Sequence, residues 1–443
     1  MRTLFFCARN FKDYLNLTEE EREKIKDVEI TARDILNSPE SQDILYAHMK
    51  VYDDCAAGCE APILGRTGIA GLRLDFDFGL RLEVPAGNFH VRIGDYDTEQ
   101  IFLDEDLSDV RLISVEKYFI RWQVEVFCDG VKIFSHVLNL KGQRVTIAAN
   151  LDGLGDVLAI LPFVGEFRRQ HNCAVSVLLP KYLREFAAHV YPEIPQVNEL
   201  SFTNYANYFP IMCVSDYPKT PVDLRNCPIE RIAGAILGLE TLPAKNIFKP
   251  TLPPVTKEPY VCIAVQASSN RKGWLYPGGW DVVVEYLKAL GWRVFCIDKN
   301  AEENNFGYKI AKPEGAEDFT GDFSIMERAN MLYHAEFFIG LGSGLAWIAD
   351  AVNCPVVLIA GFSQDWAEFY TPYRVANRLV CNGCFNDLRV KFIGKDICPR
   401  HSGTPRELEC QKRIYPQQVI DAVQRLIIER GLIPPITATG NAQ

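Results

Sequence analysis

The 443-residue sequence has no hydrophobic run long enough to cross a membrane. Its longest apolar stretches, such as Val356 to Phe362, fall far short of the roughly 20 residues a spanning helix requires. No secretory signal is expected, because the apolar patch in MRTLFFCARNFKDYLNL is short and soon followed by charge. It also lacks a net positive charge. With 57 acidic against 47 basic residues the formal net charge is −10, which disfavours non-specific binding to nucleic acid or to an anionic membrane, since both need a positive surface. There is no short internal repeat and no low-complexity tract. These absences predict a cytoplasmic chain with no membrane span and no nucleic-acid partner.

What is present is enough apolar material for sizeable cores: 48% of residues are hydrophobic and 11% aromatic. The length predicts two or three domains. Fourteen cysteines without a signal peptide read as thiols or metal ligands rather than disulfides. Ten are dispersed, several inside strand-like runs (Cys128, Cys262, Cys296), where a free cysteine is a small core residue. The other four, Cys381, Cys384, Cys398 and Cys410, crowd into one short segment.

Hydrophobic periodicity divides the chain. Residues 1–60 read as a helical segment, with Thr18 capping the acidic start of LTEEEREKIKDVEITARDIL. Residues 61–143 read as a β-rich domain, an antiparallel meander in which Asp129-Gly130 is a hairpin turn. From Arg144 strand and helix patterns alternate, which implies a parallel sheet covered on both faces. The Pro-rich stretch Phe248 to Pro259 closes this unit at about residue 255. A second alternating unit, 256–433, begins at YVCIAVQAS. Two such units make a cleft at the carboxyl ends of their strands.

Three strand-to-helix loops could carry chemistry there. In NLDGLGDVLAILP, Gly153 and Gly155 allow a tight turn and Asp156 stands at the helix start, either facing the cleft or merely favouring the helix N-terminus. In AVQASSNRKGWLYPGGW, Arg271 and Lys272 could meet a diphosphate or could be solvated. In FFIGLGSGLAWIADAV, the backbone amides of a helix beginning near Ser343 would form an anion site, although such glycines also serve steric ends. Asp298, at the end of WRVFCID, stands where dinucleotide folds place an acid against ribose hydroxyls; an exposed strand-end aspartate is the simpler reading.

In order, LGDVLAILP, the strand-loop-Lys element and the Gly-Ser-Gly-Leu helix start resemble the heptosyltransferase family over about Arg144 to Ile428. The resemblance implies an α/β fold of the GT-B type, two facing Rossmann-like domains. It implies Asp156 as catalytic base, Lys272 engaging the diphosphate of ADP-heptose, and Ser343, Gly344 and Leu345 as the glycine-rich helix start. The sequence departs from the lipopolysaccharide enzymes, which typically carry Asp-Thr-Gly-Leu-x-His where this chain has Gly342-Ser343-Gly344-Leu345-Ala346-Trp347.

The spacing Cys381-x2-Cys384-x13-Cys398-x11-Cys410 supplies four soft ligands for a closed tetrahedral site. Zinc is the default occupant and iron the competitor, because both accept four sulfurs. A four-cysteine finger at 381–410, behind a smaller β-rich N-terminal domain, resembles the bacterial autotransporter heptosyltransferases. That resemblance implies one structural iron per chain, a large ring-shaped homo-oligomer, and an autotransporter passenger as acceptor. The expected activity is then metal-independent, inverting transfer of heptose from ADP-heptose to serine. The alternatives are a lipopolysaccharide core heptosyltransferase and, outside the enzymes, a non-catalytic metal-stabilised assembly protein.

Overall fold

The computed structural model describes all residues except 9–18, 25–31, 51–52, 151–152, 211–220, 306, 391–396 and 437–443. The expected Thr18 cap lies outside the described residues. Helices Glu19–Lys24, Ala32–Asn37, Pro39–Lys50 and Asp53–Glu60 occupy much of the segment expected to be helical, but the chain opens on a strand, Arg2–Phe6. This corrects the helical reading of its first residues. Leu4, Phe5 and Phe6 are buried because the strand pairs in parallel with Val110–Ser114, Arg2 facing Val110. A partner so distant in sequence leaves no local signal.

The β-rich region is not one meander. Ile101–Leu107, Phe89–Asp95, Trp122–Cys128 and Val131–Val137 form a four-stranded antiparallel sheet in that order. Asp129 (φ 48°) and Gly130 (φ 77°) turn its last hairpin as expected, since both central positions of a type I′ turn need positive φ. The remaining strands join a larger sheet. In order it runs Arg2–Phe6, Val110–Ser114, Arg81–Val84, Arg73–Asp77, Ala206–Tyr208, Arg144–Ala148, Ala174–Leu178 and Gln196–Val197. Backbone pairing therefore passes straight from the β-rich region into the first α/β unit, where Ala206 faces Phe76.

The seam of that sheet is ionic. Arg81, fully buried, donates to Asp75 Oδ1 at 2.7 Å and Asp77 Oδ2 at 2.8 Å, and also to the carbonyl of Ala61 at 2.9 Å, just beyond helix Asp53–Glu60. Asn207, on the first strand across the seam, donates to Asp77. Burial and the neighbouring Asp75 push the Asp77 carboxyl upward, and Arg81 opposes this. The cluster links the strands on either side of the seam, Arg73–Asp77 and Ala206–Tyr208, through paired side chains.

The two α/β units follow the expected alternation. In the first, strand Arg144–Ala148 leads into helix Leu154–His171, whose Val157, Ile160, Leu161, Val164 and Phe167 line one buried face. Arg168, Arg169 and His171 in its last turn suit the negative end of the helix dipole. In the second, Glu317–Asp318, Arg293–Cys296, Tyr260–Ile263, Phe338–Leu341, Val356–Ile359 and Tyr373–Val375 form an all-parallel sheet in that order. The chain winds outward in opposite directions from Tyr260–Ile263, so a crevice opens beyond the carboxyl ends of that strand and Phe338–Leu341. Residues 248–259 form no regular element. One feature of this unit had no sequence signal: the hairpin Glu302–Asn305 with Tyr308–Ala311. Among the described residues no helix is long and apolar enough to cross a membrane.

Candidate active site in the cleft between the two units

Asp156 is the third residue of helix Leu154–His171, and Gly153 is its N-cap, with φ −81° and ψ 112°. A Cβ on Gly153 would stand 2.1 Å from Asp156 Oδ2, so the carboxylate folds back over the cap and only glycine leaves room for it. Burial raises the Asp156 carboxyl above its ordinary value, and the Lys272 ammonium across the cleft partly offsets this. The structure thus brings together the two groups that the sequence placed on separate units.

Lys272 ends the short turn Asn270–Lys272, capped by Ser269, whose Oγ accepts from Arg271 N at 3.3 Å. Ser269, Asn270 and Arg271 are buried, so this is a packed loop and not a solvated one. Asp298 does not line the cleft. Only 3% exposed, it accepts from Val265 N at 2.7 Å and Gln266 N at 3.2 Å, holding the start of the Lys272 loop from beneath. Burial pushes its carboxyl up to about 6.

Ser343 is the N-cap of helix Gly344–Ala351. A Cβ on Gly344 would meet Leu154 Cδ2 at 2.8 Å, and one on Gly155 would meet Trp347 Cδ1 at 2.5 Å. The two helix starts interlock, each glycine admitting a side chain of the opposite unit. Leu345 packs against the core instead of lining the cleft. The indole of Trp347, 6% exposed, cannot retreat, so Gly155→Ala is expected to destabilise the chain by about 1–3 kcal/mol, as overpacking does. Denaturant unfolding would measure this; an unchanged midpoint would contradict the interlock.

Around these groups lies a cleft of about 410 Å³, lined by Gly153, Asp156, Ser268, Lys272, Ser343, Gly344 and Trp347, and also by Phe362, Ser363, Glu368 and Phe385. The last four were not read from the sequence. Phe362, Ser363 and Glu368 follow the carboxyl end of strand Val356–Ile359, a position that could have marked them, whereas Phe385 comes from the turn Cys384–Asn386.

Cys384, Cys398 and Cys410 are buried and Cys381 is partly so. Burial pushes the Cys384 thiol up to about 11 and that of Cys410 well upward, and in each case the other cysteines of the set add to the shift. The four therefore share one region. They are not drawn into a coordination shell: among the described residues no three His, Cys, Asp or Glu side chains stand as a metal-binding group. The segment is anchored on both units. Gln411 O accepts from Leu275 N at 3.2 Å and its side chain donates to Arg271 O. Arg225, from the first unit, donates to Val390 O at 2.9 Å, while Asn386 donates to Arg225 O at 2.8 Å.

Two facing Rossmann-like units, with an acid on one and a lysine and glycine-rich helix start on the other, define a GT-B glycosyltransferase. Residues 240–389 match glycosyltransferase family 9 (heptosyltransferase), and residues 68–130 match the N-terminal domain of glycosyltransferase TibC. The chain is 39% identical to the autotransporter heptosyltransferase BAHTCr of Citrobacter rodentium, across 80% of this chain and 88% of that one. It is 38% identical to the autotransporter heptosyltransferase TibC of Escherichia coli O78:H11, across 83% and 93%. The chain belongs to the autotransporter heptosyltransferases. A crystal structure of TibC, described as an iron-containing dodecameric heptosyltransferase in complex with ADP-D-beta-D-heptose, superposes with a TM-score of 0.79 at 37% identity, covering 84% of this chain and 98% of that one. The family also includes BimC of Burkholderia thailandensis, 33% identical across 80% of this chain and 85% of that one and described as inactive. In this chain the acid, the lysine and the glycine-rich helix start all line one cleft.

Proposed function

We propose that this protein is a cytoplasmic protein O-heptosyltransferase that moves heptose from ADP-heptose to serine hydroxyls of an autotransporter adhesin. The observation that carries the reading is the approach of Asp156 and Lys272 across the cleft, one group from each unit. Asp156 takes the proton of the serine hydroxyl as its oxygen bonds to the anomeric carbon of heptose. The bond from that carbon to the ADP oxygen breaks with inversion. Charge gathering on the departing diphosphate is met by Lys272 and by the amides at Ser343 and Gly344. Leu345 contributes as part of that helix start. The carboxylate of Asp298 orders the start of the lysine loop. Incubating the protein with ADP-heptose and an autotransporter passenger, then weighing the passenger, tests the reading. A mass increase in heptose units supports it, and an unmodified passenger overturns it.

Cys381, Cys384, Cys398 and Cys410 would hold one ion as a four-cysteine finger, with iron favoured because TibC contains iron and zinc as the alternative. Four thiolates leave no open coordination position, so a bound ion supplies structure and no chemistry to transfer. About one metal per chain is expected by elemental analysis, lost when Cys381→Ser and Cys410→Ser are combined, with a fall in thermal stability preceding any fall in donor affinity. Full metal content in the double variant would show these to be ordinary thiols. A ring-shaped homo-oligomer is the proposed assembly, following the dodecameric TibC.

A further inference from the structure

Glu368 has no part in the chemistry above, yet its carboxyl group reaches the cleft. It enters beside the helix start: a Cβ on Gly342 would stand 2.9 Å from Glu368 Oε1, so the carboxylate fills room that the glycine leaves empty. The group is built into place. Oε1 accepts from Ser363 Oγ at 2.7 Å, Arg374 donates to the same Ser363 Oγ at 2.8 Å, and Arg374 Nη1 lies 2.8 Å from Glu368 Oε2. The side chains of Glu368 and Arg374 are 10% and 6% exposed. A carboxylate so close to an anion site would repel phosphate, and Arg374 cancels that charge from behind. What a carboxylate recognises well on an uncharged group is a hydroxyl, as a strong acceptor with several lone pairs.

We propose that Glu368 is a specificity-determining residue that accepts hydrogen bonds from hydroxyls of the donor's sugar, with Ser363 and Arg374 as positioning residues that aim it. The inference rests on the reading of the cleft as an ADP-heptose site. It assigns the sugar half of that ligand to a loop distinct from those assigned to the diphosphate. Gly342 is then required to be small, because any side chain there would displace the carboxylate.

Calorimetric titration of the full chain with ADP and with ADP-heptose tests this. Glu368→Gln is expected to bind ADP within about twofold of the unsubstituted protein and ADP-heptose about tenfold to a hundredfold more weakly, the usual effect of removing a charged hydrogen-bond partner. Glu368→Asp, which keeps the charge, is expected to recover part of the loss. Equal weakening for both ligands would assign the carboxylate to the ribose or to loop packing, and unchanged affinities would leave it no role; either overturns the inference. Should Glu368→Gln fail to fold by thermal unfolding, Glu368→Asp decides: an unaltered ratio of the two affinities overturns it. An unsubstituted chain that binds ADP-heptose no better than ADP-glucose overturns the functional reading, and this inference with it.

Discussion

Asp156→Asn is expected to lower turnover by about 10²–10⁴-fold, the range associated with a positioned general base, while leaving ADP-heptose affinity within a few fold. The substitution removes a charge and a proton acceptor but almost no volume, so the helix start and its interlock with Trp347 remain. The pH profile sharpens the test. Only the ionised carboxylate can take the serine proton, so activity is lost as pH falls through the folded pKa of Asp156. That pKa is raised by burial and partly lowered by Lys272. The acid limb of kcat/KM is therefore expected above the ordinary aspartate value of about 4. A variant retaining near-normal turnover, or an acid limb at or below the ordinary aspartate range, would remove Asp156 from the role of base.

Lys272→Ala is expected to damage binding and turnover together, because its ammonium meets the diphosphate both before and during departure. Loss of a charged partner costs about 10- to 150-fold in donor affinity. A further loss in kcat is expected because the charge on the leaving group grows in the transition state. A second effect follows from the cleft itself. Lys272 is the group that holds the Asp156 carboxyl down against burial, so removing it raises that pKa further and moves the acid limb to higher pH. Lys272→Arg keeps the charge and is expected to leave the limb near its original position while still impairing transfer, since a planar guanidinium does not replace a point charge. Unchanged donor affinity by calorimetry, or an acid limb unmoved in Lys272→Ala, would separate the two groups.

Elements stabilised by local contacts were legible in the sequence. The apolar face of Leu154–His171 and the Asp129-Gly130 turn each follow from residues a few positions apart, whose spacing fixes which side chains can bury or turn together. The parallel pairing of the second unit was likewise implied by alternation, but not its strand order or its edge strands Glu317–Asp318 and Tyr373–Val375. Non-local features were not legible. Strand Arg2–Phe6 exists through its pairing with Val110–Ser114, and the β-rich region continues into the first unit through Ala206 and Phe76. Nothing near either segment announces such a partner.

The same division runs through the site. By itself the sequence determined the candidate groups: an acid after a glycine turn, a lysine after a strand and a glycine-led helix, with four clustered cysteines beside them, because these depend on residue type and position along one element. The tertiary structure alone decided which of them meet. It turned Asp156 and Lys272 toward each other and gave Gly155 and Gly344 to the opposing helices. It drew Asp298 beneath the start of the lysine loop and brought Glu368 beside Gly342. The physical reason is that burial and charge act through space, so the environment of a carboxylate is set by the chain that packs against it and not by its neighbours in sequence.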